Sequence, residues 1–134
     1  MKKDFSDLDF EINFYERILK ERPNFIEALV ALGDAYTKRG FYEKGLAIDK
    51  RLVELKPYDP IVFYNLACSY SLLGLIDEAI ISLKKAIRLG YRDFRWLEKD
   101  ADLENLRRSP KYNQIIKLIL KKRKQDLRSR TKRR

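Results

Sequence analysis

Residues 29–40 read LVALGDAYTKRG, and residues 63–74 read FYNLACSYSLLG. The two segments carry one pattern 34 positions apart: a large apolar residue, a leucine, a small residue, a tyrosine and a closing glycine. A period near 34 residues indicates a unit of two helices joined by a tight turn. Because one such unit cannot bury its apolar surface alone, the repetition predicts stacked units that form a helical solenoid.

The rest of the chain has helical spacing as well. Apolar residues recur three and four positions apart and no segment alternates with a period of two, so we expect helices and no strands. Short linkers around Gly40 and Gly74 make neighbouring helices antiparallel. The predicted helices cover 10–22, 26–39, 42–56, 60–73 and 76–89, followed by two short helical turns within 93–107 and a last helix from about 110.

Helix ends are marked by local signals. Asp59 followed by Pro60 predicts an N-cap with proline at the first helical position, where its missing N–H costs nothing. Gly40 and Gly74 each follow a helical segment, where a left-handed residue closes a helix.

These residues resemble the tetratricopeptide repeat (TPR), whose pattern is Trp-x2-Leu-Gly-x2-Tyr followed by small residues and a proline. The first repeat supplies Leu29, Leu32, Gly33, Tyr36, Gly45, Asp49, Leu52 and Pro57, and the second supplies Phe63, Leu66, Ala67, Tyr70, Ala79, Leu83 and Ala86. The resemblance implies an all-α, right-handed superhelical solenoid of antiparallel helix pairs.

The resemblance also implies a domain organisation. A repeat domain would cover residues 1–120, with full repeats at about 26–59 and 60–93. A half repeat at 10–25 and a degenerate capping repeat at 93–120 would flank them, and residues 121–134 would form a basic tail.

Composition bounds the function classes. The chain has 134 residues, one cysteine, no histidine and a net charge of +10. A single thiol cannot form an internal disulfide, and neither a signal peptide nor a long apolar run is visible, so we expect a cytoplasmic protein with no membrane span. Without histidine, the chain lacks the commonest acid–base catalyst and a common metal ligand. It also has no phosphate-binding loop. We therefore predict no enzyme activity, metal site or cofactor.

The concave face is the first candidate site. In the family this face is lined by the first helix of each repeat, and Glu27 and Asp34 would share one helix side about 10.5 Å apart along the axis. Such a groove would suit a peptide with a positive charge beside an apolar anchor. A solvated inner surface, or one packed under the closing helix, is the alternative. The predicted lining is Glu27, Val30, Asp34, Thr37, Lys38, Ile61, Tyr64, Asn65, Cys68, Ser71 and Leu72.

Some members of the family bind a C-terminal carboxylate with lysine and asparagine residues on these helices. Asn65 matches one such position, but Val30 and Asp34 stand where a lysine and an asparagine would be expected. This departure argues against a carboxylate clamp. Cys68 has no basic neighbour within a helical turn to lower its pKa, which favours an inert thiol.

Asp49 breaks the apolar pattern, because Leu83 fills the equivalent position one repeat later. A buried carboxylate without a partner would be costly. We expect an edge position with water or a tyrosine hydroxyl as partner; the alternative is a polar link between repeats.

The C-terminal tail is the second candidate site. It carries nine basic residues against one Asp, and such runs contact phosphates or acidic proteins, although a solvated helix end is the alternative. No aromatic residues are interleaved for base stacking. The residues are Lys121, Lys122, Arg123, Lys124, Arg128, Arg130, Lys132, Arg133 and Arg134.

The sequence therefore predicts a non-catalytic adaptor or scaffold that binds a peptide or protein segment on its concave face. A nucleic-acid-associated protein that uses its basic tail and a self-association module are the two alternatives. The pattern does not identify a partner.

Overall fold

A computed structural model describes residues 4–132, and within that range every regular element is helical. The long helices are α1 (Ser6–Glu21), α2 (Ile26–Arg39), α3 (Tyr42–Leu55), α4 (Pro60–Leu72), α5 (Ile76–Arg88) and α8 (Asn113–Lys132). Between α5 and α8 lie the short helices α6 (Phe94–Leu97) and α7 (Glu104–Arg108), with 3-10 turns at Ala101–Leu103 and Pro110–Tyr112.

Neighbouring helices pack as antiparallel pairs, so the predicted helical solenoid is confirmed. Helix α2 pairs with α3 and α4 pairs with α5, while α1 packs on α2 as a single preceding helix. A Cβ added at Gly33 would lie 3.2 Å from Ile48 Cγ2, so the small residue there permits the close approach of α2 and α3.

The helix-end signals behave as expected. The Asp59 carboxylate accepts a hydrogen bond from the Ile61 N–H at 2.9 Å, with Pro60 opening α4. Gly40 and Gly74 have φ of +89° and +74°, a region that favours glycine. Helix α1 begins at Ser6, four residues before the expected position, because acidic residues in its first turn, including Asp7, complement the positive end of the helix dipole.

The buried side chains are distributed unevenly. One continuous cluster of 15 buried residues joins α4, α5, the 91–106 segment and α8. Around α2 there are instead two separate clusters, one of four buried residues shared with α1 and one of three shared with α3 and α4. The larger core is therefore formed by the second repeat together with the segments C-terminal to it.

The segment from Tyr91 to Arg108, here called the closing segment, folds back over α4. The Ser71 Oγ accepts a hydrogen bond from the Leu106 N–H at 3.2 Å, and the Asn105 side chain donates to the Ser71 carbonyl at 2.9 Å. Leu97 and Leu103 are fully buried in the large cluster. The sequence pattern predicted the broken helical character of this stretch, and these contacts show what it packs against.

Helix α8 buries apolar side chains in its first half only. Ile115 and Ile119 are buried, whereas most of the side chains after Leu120 are exposed. Arg92 ties the later part of the helix to the closing segment, because its Nε donates to Asp126 Oδ2 at 3.0 Å. The predicted tail is thus continuous with α8 as far as Lys132.

Candidate functional site

A groove of about 500 Å³ lies between α2, α4 and the closing segment. One wall comes from α2, the floor from α4 with two residues of α3, and the opposite wall from the closing segment. Its lining residues are Glu27, Val30, Ala31, Gly33, Asp34, Thr37, Asp49, Leu52, Tyr64, Asn65, Cys68, Ser69, Leu72, Trp96, Asp100 and Asp102.

The α2 wall is open to solvent and carries acidic side chains. Glu27, Val30 and Asp34 are all exposed and lie three to four residues apart, so they line one side of the helix. Lys38 forms an ion pair with Asp34 at 2.9 Å, but both side chains are well exposed and such pairs are weak. An incoming cation could therefore compete with Lys38 for Asp34.

The floor of the groove is built on a buried tyrosine. The Tyr64 hydroxyl donates to Asp100 Oδ2 at 2.6 Å, and its ring stacks on Tyr91 with centroids 4.3 Å apart. Burial raises the pKa of the Tyr64 hydroxyl, and the nearby Cys68 and Asp100 act in the same direction, which keeps it a donor at neutral pH. This bond holds the closing segment against α4.

Cys68 lies beside the same carboxylate, with its Sγ 3.8 Å from Asp100 Oδ2. Burial raises the pKa of the thiol well above its ordinary value, and the charges of Asp100 and Asp102 raise it further. A thiol that stays protonated is a poor nucleophile. The geometry therefore agrees with an inert Cys68.

Asp49 closes the inner end of the groove between the two repeats. Its carboxylate accepts a hydrogen bond from the Ser69 hydroxyl on α4. Burial raises its pKa to about 6, and the serine bond partly opposes that rise. The expectation of an edge position with a tyrosine or water partner was wrong, because Asp49 is buried and a serine of the next repeat supplies the donor. The contact is the polar link between repeats.

The wall formed by the closing segment was not anticipated from sequence. Trp96 is 48% exposed at the rim of the groove, and Asp100 and Asp102 face it from the 3-10 turn. Burial raises the pKa of Asp102, and the charges of Asp100 and Asp34 add to this effect. The influence of Asp34, which belongs to α2, indicates that carboxylates of both walls share one negative field.

Asp100 and Asp102 also belong to the local structure of the closing segment. Asp100 does cap the 3-10 turn, since its Oδ1 accepts from the Asp102 N–H at 3.0 Å. Their place in the groove had no signal in the sequence, because the closing segment keeps only part of the 34-residue pattern. Only its packing against α4 brings these side chains to α2.

The structure brings together eight of the eleven predicted concave-face residues. Tyr64 and Cys68 belong to this set but are buried, so they support the floor and expose little surface. The eight are Glu27, Val30, Asp34, Thr37, Tyr64, Asn65, Cys68 and Leu72.

Three predicted concave-face residues lie outside the groove. Ser71 is fully buried and holds the closing segment, which corrects its expected place on the concave surface. The fold turns Ser71 inward because the closing segment covers that side of α4. Ile61 is exposed, and Lys38 meets the groove only through its ion pair with Asp34.

The predicted tail residues lie along α8, with Arg133 and Arg134 outside the described residues. Arg123 approaches Glu98 at 3.7 Å and lies over the Phe94 ring. Basic residues recur every three or four positions along the solvent-exposed side of α8 and form a row there. Within residues 4–132 no member of this row forms an ion pair. The row consists of Lys117, Lys121, Lys124, Arg128 and Lys132.

The remaining predicted tail residues, Lys122 and Arg130, lie off this row. Lys122 is half-buried and Arg130 is exposed beside the closing segment. Over residues 4–132 the structure shows no group of three or more His, Cys, Asp or Glu side chains placed to hold a metal ion. None of the helices in that range is long and apolar enough to span a bilayer.

Comparison with protein families matches residues 61–89 to the tetratricopeptide repeat. The match covers nearly all of α4 and α5, the pair that the sequence pattern assigned to the second full repeat. The family comparison and the 34-residue spacing therefore identify the same helix pair.

Two sequence relatives share about a third of their aligned residues with this chain. A chloroplastic protein from Arabidopsis thaliana is 33% identical over 88 residues, and human Tetratricopeptide repeat protein 13 is 36% identical over 86 residues. The alignments cover 63% and 60% of this chain but only 26% and 10% of those proteins. This chain thus corresponds to a small part of each relative.

A solved structure extends the likeness to most of the chain. The structure is MamA 41-end from Desulfovibrio magneticus RS-1. The superposition covers 91% of this chain and 70% of the MamA chain, with a TM-score of 0.64 and 22% sequence identity. At that identity the likeness shows the fold alone.

Proposed function

We propose that this chain, whose residues 61–89 match the tetratricopeptide repeat, is a non-catalytic interaction module that binds a segment of another protein in the groove between α2, α4 and the closing segment. Repeat solenoids of this kind present concave surfaces to protein partners and are typically non-catalytic. The cytoplasmic location stays a prediction; the name of the plant relative places that protein in the chloroplast.

The charge of the groove is the observation that carries the proposal. Its described lining contains five carboxylates and no lysine or arginine. Asp34 and Glu27 on one wall and Asp102 on the other are accessible, and Trp96 and Val30 supply exposed apolar surface beside them. This combination supports an extended or helical segment that places a Lys or Arg next to a large apolar residue.

A peptide-display selection tests this proposal with the purified full chain as bait. We expect enriched peptides to combine a basic residue with an aromatic or branched apolar residue, and one of them is then labelled for fluorescence anisotropy. Asp34→Lys and Asp102→Lys should each weaken its binding at least about tenfold, because each places a like charge against the ligand.

Glu78→Lys is the matched control, since Glu78 is an exposed carboxylate on α5 outside the groove. It should leave the peptide affinity unchanged. Equal losses in Glu78→Lys and Asp34→Lys would mean that net charge, and not the groove, determines binding. A selection that enriches no peptide class would contradict the proposal directly.

The unpaired basic row on α8 favours a second candidate function, contact with a nucleic-acid backbone. Each phosphate neutralised on single-stranded nucleic acid contributes about 0.7 to the slope of log affinity against log salt. Replacing Lys121, Lys124 and Arg128 together by alanine should make that slope shallower by about 2 for a labelled mixed-sequence RNA. Lys20→Ala, at an exposed lysine on α1, is the control. A salt slope that the triple substitution leaves unchanged would contradict this candidate.

A further inference from the structure

Helix α1 has two apolar faces. Its inner face packs Ile12, Tyr15 and Leu19 against α2. Its outer face exposes two phenylalanines: Phe10 is 71% exposed and Phe14 is 49% exposed. Their rings stack in parallel, with centroids 6.5 Å apart and an interplanar angle of 13°. The result is a flat aromatic surface on the side of α1 that faces away from α2.

The outer face forms a regular stripe with charged ends. Asp7, Phe10, Phe14 and Arg17 follow one another at intervals of three, four and three residues, so they lie on one side of the helix. With a rise of 1.5 Å per residue, the phenylalanines lie about 6 Å apart along the axis and the charged pair about 15 Å apart. We call these four residues the α1 stripe.

The α1 stripe is complementary to itself. The two phenylalanines and the two charged residues share one midpoint, at the level of Ile12. Rotation of the helix by 180° about that point exchanges Phe10 with Phe14 and Asp7 with Arg17. Within residues 4–132, neither Asp7 nor Arg17 forms an ion pair.

We propose that the α1 stripe binds the α1 stripe of a second copy of this chain, with the two helices antiparallel about a two-fold axis. The phenylalanines of both copies pack at the centre, and each Asp7 pairs with Arg17 of the other copy. A shallow cleft of about 410 Å³ beside Phe10, Phe14 and Ile18 provides room for an aromatic ring of the second copy.

The charges select this orientation. A parallel arrangement would place Asp7 against Asp7 and Arg17 against Arg17, which is repulsive at both ends, whereas the antiparallel one makes two attractive contacts. Such an interface is isologous, as two-fold dimers require. It involves one helix from each copy, so it falls at the small end of specific interfaces and predicts a weak dimer.

Analytical ultracentrifugation of the full chain tests the proposal at concentrations from about 5 to about 200 µM, a range suited to a small interface. The unmodified chain should move from monomer toward dimer across this range. Asp7→Arg and Arg17→Asp should each weaken the dimer at least about tenfold, because each creates like-charge contacts at both ends.

The double variant Asp7→Arg, Arg17→Asp is the decisive measurement. It restores complementary charges at both ends, so dimerisation should return to near the original strength. Circular dichroism of each variant establishes that α1 still forms. Lys20→Asp is the matched control, because Lys20 is an exposed basic residue of α1 off the stripe, and it should not change the association.

Three outcomes would overturn the proposal. A chain that stays monomeric at the highest concentration has no such interface, and its aromatic stripe is left for a different protein. A dimer indifferent to Phe10→Ser and to the charge reversals uses another surface. A double variant that stays as weak as the single ones would show that Asp7 and Arg17 do not face one another. Peptide binding in the groove should persist in every variant, so the groove proposal is judged separately.

Discussion

The two repeats share one sequence pattern, yet their surroundings differ. The second repeat, with the closing segment and α8, lies in a single cluster of 15 buried residues, whereas the first repeat touches two clusters of four and three. The closing segment covers the concave side of α4 but leaves that of α2 open. The comparison shows that the segments after the second repeat pack on that repeat alone. They include it in a large hydrophobic core, whereas the first repeat forms a wall of the groove.

One pair of equivalent positions shows the difference in detail. Leu83 is fully buried among apolar side chains of the second repeat, while Asp49 occupies the same place in the first and binds Ser69. The first repeat thus carries a carboxylate where the second carries part of its hydrophobic core. Substitutions in each repeat measure how much stability the two arrangements contribute.

Leu97→Ala should have the largest effect, because it removes a fully buried side chain that joins the closing segment to the large cluster. We expect a loss of roughly 3–5 kcal/mol in the free energy of unfolding, measured by urea denaturation. Hydrogen exchange should show amides of α4 and α5 losing more protection than those of α1. A loss below about 1 kcal/mol would show that the closing segment is dispensable to the core.

Asp49→Asn should stabilise the chain at neutral pH. The pKa of Asp49 is raised from 3.8 to about 6 by burial, so the folded state favours the protonated carboxyl. The stability that the protonated Asp49 carboxyl contributes is fully present below about pH 4 and is lost as the pH rises through about 6. Above pH 7 the ionised group costs at most about 3 kcal/mol, which asparagine avoids while its amide oxygen still accepts from Ser69.

Thermal unfolding from pH 4 to pH 8 measures this difference. The melting temperature of the unmodified chain should fall relative to that of Asp49→Asn between about pH 4 and 6, and the gap should stay constant above pH 7. Ser82→Ala, a change at a buried polar position of α5, should run parallel to the unmodified chain. A lower melting temperature for Asp49→Asn at pH 8 would mean that the carboxylate stabilises the repeat contact.

Tyr64→Phe should have an intermediate effect on the second repeat. It removes the hydroxyl that donates to Asp100 and leaves a buried carboxylate with one donor fewer. We expect a cost of about 1.5–2 kcal/mol by urea denaturation at pH 7. Tyr58→Phe is the control, since Tyr58 is 81% exposed and its hydroxyl should contribute nothing measurable. Equal stability of the two variants would show that the Tyr64 hydroxyl does not stabilise the contact between α4 and the closing segment.

Gly40→Ala and Gly74→Ala should give the smallest effects, and equal ones. Both glycines have positive φ, and an added Cβ meets no atom within 4 Å at either site. Each substitution should therefore cost about 1 kcal/mol from the backbone conformation alone. Unequal costs would show that the two turns differ in strain although each places a glycine at the same position of its repeat.

Much of the fold could be predicted from local sequence. The helix ends at Asp59 and Gly40 depend on bonds and backbone angles within a few residues, and the spacing of apolar side chains identified each long helix. The residues that form the walls of the groove were harder to predict. Glu27 and Asp34 follow from the repeat pattern, but Trp96 and Asp102 lie in a segment that keeps only part of that pattern, so its period does not indicate where they pack.

The sequence by itself determined the helices, their antiparallel pairing and the repeat, because an α-helix and a tight turn are set by interactions between residues a few positions apart. Only the tertiary structure decided that Tyr64, Cys68 and Ser71 are buried and that Asp49 binds Ser69. It also placed the carboxylates of α2 and the closing segment around one groove. Those outcomes depend on which segments meet across 20 to 36 positions of sequence, and such contacts are selected by the packing of the whole chain.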